Sequence, residues 1–254
     1  MRSLVLPHIP FLLPELGGDK ISSLIPDLFS SLNDIHDDLL KFPPDVILIC
    51  SPHFNSETFR IRITDTCTGN LQSFRRPDIV DIRKSHKKLA LYLQQRGEEL
   101  GFLAGREDEM NVILDYGSII PLRIIDPNSR IPIIQISTSM GTQQEHLDWG
   151  KKIAEIVKEK NDNVLFIAST ELTQDFQEET NAFPFEKDDD ELFLKLLSSG
   201  DTEALLKFPL SYFAKTEQSL KPIYILSGFS DQLTGKIIDY SGFIGCGCAV
   251  VKFE

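Results

Sequence analysis

The chain has 254 residues, of which 41% are apolar, so it is long enough to bury a sizeable core. Its net charge is −12, from 26 basic against 38 acidic residues, which argues against nucleic acid or an anionic membrane surface as partner. Four cysteines without a C-x-x-C pair are too few for a disulfide scaffold and fit a reducing, cytoplasmic setting.

The first apolar run, Leu4-Val5-Leu6, ends in Pro7-His8 and reads as a buried strand with a histidine at its tip. Pro7, Pro10 and Pro14 interrupt the apolar stretch that follows, so it suits neither a signal-peptide core nor a membrane span. Residues 9–18 are expected to form a loop that roofs a pocket. Leu24, Leu28, Leu32, Ile35 and Leu39 then recur at helical spacing, predicting one amphipathic helix over residues 22–40 with His36 on its solvated side.

Residues 45–53 carry the strongest strand signal. Five consecutive apolar residues, Val46 to Cys50, lie between Pro43-Pro44 and Ser51-Pro52, as expected of a central strand dry on both faces. Pro52 stops the ladder and delivers His53 past the carboxyl end, where open α/β sheets place their ligands. The spacing predicts that the strands before His8 and His53 are adjacent and parallel. Alternation over residues 58–64 puts Phe59, Ile61 and Ile63 on one face and Arg60 and Arg62 on a wet one, which makes the sheet mixed. Residues 66–77 read as turns, and Ser85 as the cap of a helix that turns Leu89, Leu93 and Leu100 inward, with His86 at its surface.

A polar turn, Asp115-Tyr116-Gly117, leads into an apolar segment through Leu122. Another buried strand follows over 131–138. Thr142-Gln143-Gln144-Glu145 has the spacing of a capping box, opening a helix on which His146 is expected to be exposed. The third strand of the set, residues 164–169, runs into Thr170-Glu171 and would bring that glutamate to the same rim as the two histidines. Asp188 to Glu191 suit a helix amino terminus, and the chain closes on a helix near Pro222 and a hairpin containing Cys246 and Cys248, both expected to be buried. No linker or repeat divides the chain. The expectation is one α/β domain over residues 1–254, a central mixed, mostly parallel sheet with helices on both faces.

Two histidines at strand ends plus a carboxylate form a ligand set suited to non-haem iron, although spacing alone does not separate it from any pair of loop histidines. The ordered motifs carry more. Pro7-His8-Ile9-Pro10, Ser51-Pro52-His53, Asp115-Tyr116-Gly117 with Pro121-Leu122, Ala168-Ser169-Thr170-Glu171-Leu172-Thr173-Gln174, Lys221-Pro222-Ile223 and Asp239-Tyr240-Ser241-Gly242 together resemble the class III extradiol ring-cleavage dioxygenases. This is the LigB-like superfamily, which also contains the Memo-like proteins.

The resemblance implies Fe(II), with another divalent ion such as zinc as alternative, held by His8, His53 and Glu217, with Glu171 and Asp115 behind the ligands and Glu171 the alternative third ligand. It also implies a small aromatic substrate, dioxygen as co-substrate, and oligomers among the relatives. At two positions the chain departs from the family. Tyr116 and Gln174 stand where the family carries histidines at its catalytic positions. An amide accepts no proton near neutrality, and a phenol with a pKa of about 10 is a poor base there. The competing implication is a Memo-like metal- or small-molecule-binding protein without ring cleavage.

Overall fold

A computed structural model of the chain describes residues 2–102, 105–107, 114–173, 188–208, 220–230, 234–243 and 245–253, with the backbone alone given for 19–20, 105–107 and 243. In chain order the elements are β1 (Arg2–Leu6), α1 (Pro14–Leu24), α2 (Pro26–Lys41), β2 (Val46–Ser56), β3 (Arg60–Arg62), β4 (Thr66–Leu71), β5 (Arg76–Lys84), α3 (Lys87–Glu99) and β6 (Gly105–Glu107). Then come α4 (Tyr116–Ile125), β7 (Ile133–Ser139), α5 (Gln143–Lys160), β8 (Val164–Ser169), α6 (Asp188–Ser199), α7 (Thr202–Leu206), α8 (Lys221–Phe229), β9 (Lys236–Phe243) and β10 (Cys246–Phe253).

Eight strands form one sheet in the order β6-β3-β7-β2-β8-β1-β10-β9, and β4 and β5 pair separately. The four central strands, β7, β2, β8 and β1, are parallel, whereas β10 and β9 continue the sheet antiparallel. The chain is therefore a single α/β domain with a mixed sheet and a parallel centre. Continuous burial along β1, β2, β7 and β8 follows from helices on both faces. One face buries Leu89, Trp149, Phe193 and Ile223 from α3, α5, α6 and α8. The other buries Leu28, Leu32, Ile119 and Leu122 from α2 and α4. Among the described residues no helix is long and apolar enough to cross a membrane.

Several local expectations are corrected. Residues 9–18 are not a loop: a 3-10 turn, Pro10–Leu12, leads into α1, whose helix breaks at Gly18 with φ of 62°. The single helix over 22–40 is two, because Pro26 opens α2 at its first turn and leaves Ile25 outside both. Residues 66–84 form a two-stranded hairpin in place of turns, and Gly69 lies where a Cβ would strike the Leu114 carbonyl. His86, not Ser85, caps α3, its Nδ1 accepting the Leu89 amide at 3.3 Å, and Leu100 faces outward. Finally, β8 lies between β1 and β2, so the two histidine strands share a rim without being neighbours.

The contact between α5 and α8 is made backbone to backbone. A Cβ on Gly150 would overlap the Ile225 carbonyl, and one on Gly228 would overlap the Leu147 carbonyl, so each helix seats a ridge of the other in a glycine notch. In an exposed helix Gly→Ala adds about 1 kcal/mol of stability. Here Gly150→Ala is expected to lower stability by about 1–3 kcal/mol, the usual range for overpacking, read as a lower urea midpoint. A midpoint at or above the wild-type value would mean that the helices are not in backbone contact.

Candidate metal centre

Three chain segments end at the carboxyl rim of the parallel strands. His8 follows β1 and is 2% exposed; Glu171 follows β8 and is 3% exposed. His53 lies within β2, in a bulge: Cys50 pairs with Ile136 and Asn55 with Thr138, so residues 51–54 bow out opposite Ser137. The bulge swings the imidazole over the end of β8. The His53 and His8 Nε2 atoms are 3.0 Å apart, and His8 Nε2 is 2.9 Å from Glu171 Oε2. The His8 backbone N–H donates to Glu171 Oε1 at 2.9 Å, a second tie between the two residues.

The proton on His8 can be assigned from its neighbours. Ser169 Oγ donates to the Gly117 carbonyl at 2.5 Å and lies 2.9 Å from His8 Nδ1. A carbonyl only accepts, so the single hydroxyl proton is committed to Gly117 and Nδ1–H must donate to Ser169. With Nδ1–H so placed, Nε2 is the ring nitrogen that faces His53 Nε2 and Glu171 Oε2. Three electron-pair donors meeting at 2.9–3.0 Å require a proton or another cation between them.

Charge follows the same geometry. Burial pushes Glu171 up, but the His8 charge and the hydrogen bonds from His8 outweigh it and hold the carboxyl below its usual range. His53 is an exposed residue, yet its pKa is lowered to about 4, by burial first and by the neighbouring His8 next. The Tyr116 ring lies 4.0 Å from the His53 ring, tilted by 38°, with Phe74 edge-on behind it. Burial, then the Glu171 and Asp115 carboxylates, pushes the Tyr116 phenol up to about 12.

Asp115 caps α4, with Oδ1 accepting the Ser118 amide at 3.0 Å and the Ser51 hydroxyl at 2.9 Å. Ser51 Oγ in turn accepts the His53 amide at 3.2 Å, which ties the bulge to the start of α4. Gly117 is required at this crossing, since a Cβ there would press on Ser51 Oγ and the His53 ring. Gln135 Nε2 donates to Asp115 Oδ2 and to Ser118 Oγ, and Arg62 Nη1 donates to Gln135 Oε1 at 2.5 Å. Arg62 is thus buried at 8% exposure, against the expectation of a wet face, and its guanidinium also lies 4.0 Å over the Phe54 ring. Neither Arg62 nor Gln135 stood out in the sequence, because a strand arginine and a strand glutamine carry no local mark of burial.

Two imidazole nitrogens bound to one ion at about 2.0–2.1 Å and at right angles are roughly 3 Å apart. The separation of His8 and His53 fits that spacing, and the tautomer of His8 fits a ligand. Among the described residues, however, no group of three His, Cys, Asp or Glu side chains is arranged to hold an ion. Glu217 and Gln174 lie outside the described residues. Cys246 and Cys248 are buried thiols. His36 Nδ1 lies 2.8 Å from the Ile125 carbonyl, away from the rim.

The sequence matches, over residues 2–251, the family described as the catalytic LigB subunit of aromatic ring-opening dioxygenase. It is 26% identical over 269 residues to Protein CA_C1420 of Clostridium acetobutylicum, an alignment that takes in 98% of this chain and 56% of that protein. The chain thus spans little more than half the length of this curated relative. The crystal structure of an uncharacterized protein, JW3007 from Escherichia coli K12, superposes over 100% of both chains with a TM-score of 0.72 at 17% identity, a likeness of fold.

His146, expected on the surface, is fully buried beside the rim. Its Nε2 accepts the Ser139 amide at 3.1 Å and its Nδ1 donates to the Thr142 carbonyl at 2.7 Å, so the fold holds the neutral ring. Burial first, opposed by the Thr142 carbonyl and reinforced by Lys221, lowers its pKa from 6.5 to about 4. The unfolded chain takes up this proton first, so the stability is complete above pH 6.5 and is lost as pH falls toward 4. The loss amounts to about 3 kcal/mol. Urea titrations across that range should show the slope in wild type and a flatter one in His146→Gln; equal slopes would remove His146 as its source.

Proposed function

This chain belongs to the family of catalytic LigB subunits of aromatic ring-opening dioxygenases, and on that footing we propose that it is a divalent-metal oxidoreductase of the extradiol type. Fe(II) is the expected metal, and a catechol-like aromatic together with dioxygen the expected substrates. The observation that carries this reading is the meeting of the His8 and His53 Nε2 atoms 3.0 Å apart beside the Glu171 carboxylate. His8 and His53 would hold the metal with Glu217 as third ligand, while Glu171 orients His8 and balances charge. A bound Fe(II) would supply open positions at which the two catechol oxygens and dioxygen come side by side.

The protein's own groups favour binding over proton transfer. At neutral pH the Tyr116 phenol, with a pKa of about 12, is a donor that can orient a substrate oxygen but cannot take its proton. Its ring against His53 makes a flat apolar wall suited to an aromatic guest. Gln174, the other replaced position, offers an amide. Ring opening needs a catechol proton removed and later returned, so turnover is expected to be slow. The raised phenol of Tyr116 is also what favours the second reading, a Memo-like protein that binds a metal or small molecule without opening a ring.

Protein purified without oxygen and loaded with Fe(II) should bind about one ion per chain and cleave catechols far below the median enzyme rate of about 10 per second. Gln174→His should raise cleavage by about 10² or more, read as the yellow ring-opened product, at unchanged iron content. Glu217→Ala should empty the site, and Glu171→Ala should weaken affinity roughly 10- to 100-fold. Emptying by Glu171→Ala alone would make Glu171 the third ligand. An iron-loaded Gln174→His that stays inert across a catechol panel would favour the binding protein, and wild type that takes up no divalent ion would end the metal reading of the rim.

A further inference from the structure

Helix α4 contains a proline at its sixth position, Pro121. In a regular helix the residue four positions on donates its N–H to each carbonyl, and for Gly117 that residue is Pro121, which has no N–H and whose ring presses that carbonyl away from the axis. The Gly117 carbonyl is therefore left to an outside donor, and the donor present is the Ser169 hydroxyl at 2.5 Å. A helix interior is otherwise a poor place for proline, costing about 3 kcal/mol relative to alanine. The remainder of α4 is almost wholly buried, so the proline is not a surface accident.

We propose that Pro121 is a positioning residue for His8. By withholding a helical N–H from Gly117 it commits the Ser169 proton to that carbonyl, which leaves Ser169 Oγ only as an acceptor toward His8 Nδ1. His8 is thereby fixed with a proton on Nδ1, and Nε2 is the nitrogen left to face His53 and Glu171. No proton is gained or lost in this arrangement; the proline decides which ring nitrogen carries it. The reading deepens the metal site proposed above and rests on it only where ion affinity is concerned.

In Pro121→Ala the new N–H competes for the Gly117 carbonyl and the straightened helix draws that oxygen back toward its axis. The Ser169 hydroxyl is then free to rotate and donate to Nδ1, which moves the His8 proton to Nε2. A carbonyl has two lone pairs, so a mixture of tautomers is expected in this variant and a complete loss of the bond only in Ser169→Ala. The test is nitrogen NMR of His8 in metal-free protein at about pH 8, above the ordinary imidazole range, alongside Co(II) titration and urea unfolding.

Wild type should show Nδ1–H. Pro121→Ala should show a mixed signal and a Co(II) affinity lowered roughly 10-fold, within the range for loss of a ligand's orienting partner, in a protein at least as stable as wild type. Ser169→Ala should show the larger change and Ser169→Thr, which keeps a hydroxyl, the wild-type signal. Pro121→Ala added to Ser169→Ala should change nothing further. Gained stability with lost affinity separates this role from plain structural damage. Wild-type nitrogen shifts and affinity in Pro121→Ala would overturn the proposal, as would an Nε2–H tautomer in wild type. A wild type that holds Nδ1–H but binds no Co(II) would sustain the role of Pro121 and remove the metal reading.

Discussion

Glu171 meets His8 twice, through the backbone amide and through the imidazole, at a rim sealed from water on that side. A buried carboxylate without a partner is costly enough that the surrounding structure must supply positive charge or donors. Most of what surrounds the rim can be read as satisfying that demand. Strand β8 is central, which places Glu171 between the ends of β1 and β2; β2 bulges so that His53 overhangs it; and α4 turns its crowded first turn, Asp115 to Ser118, toward the same point. The opposite edge is closed by β10, where the Leu172 amide donates to the Gly247 carbonyl and the Gly247 amide to Thr173. Gly247 is obligatory there, because a side chain would overlap the buried Asp190 carboxylate.

Most of the architecture was legible in the sequence for a simple reason. Continuous apolar runs at 4–6, 46–50 and 164–168 have no stable home except a strand covered on both faces, and prolines or small residues mark their ends. The rim was legible for the same reason, since His8, His53 and Glu171 are each the first ionisable residue after such a run. What failed to show was decided by partners distant in the chain. Arg62 alternates with apolar residues as a wet-face arginine would, but Gln135 and Phe54 enclose it. His146 sits in a polar helix turn, yet its ring replaces a strand partner for the Ser139 amide. The 66–84 hairpin was hidden by Gly69, Asn70 and Pro77, residues that suit turns and are kept here by a close approach to Leu114 and by a bulge. Burial of a polar side chain is a property of the assembled fold, and no local period announces it.

The two departures from the family pattern differ in physical kind. Tyr116 changes the wall of the site as well as its proton chemistry, since its ring fills space against His53 and is itself backed by Phe74. Such a wall lays a flat apolar surface beside the His8 and His53 rings. Glutamine at 174 alters only what can be donated or accepted.

Arg62 belongs to β3, a three-residue strand that joins β7 to the short β6 near the sheet edge. Through Gln135, Asp115 and Ser51 it reaches one flank of the bulge, and by covering Phe54 it holds the other. Short strands near an edge are where native sheets open first and most often. Loss of β3 from the sheet would carry the guanidinium away and unclasp both flanks together, so the His53 geometry depends on a three-residue strand that reaches the bulge only through the Arg62 side chain.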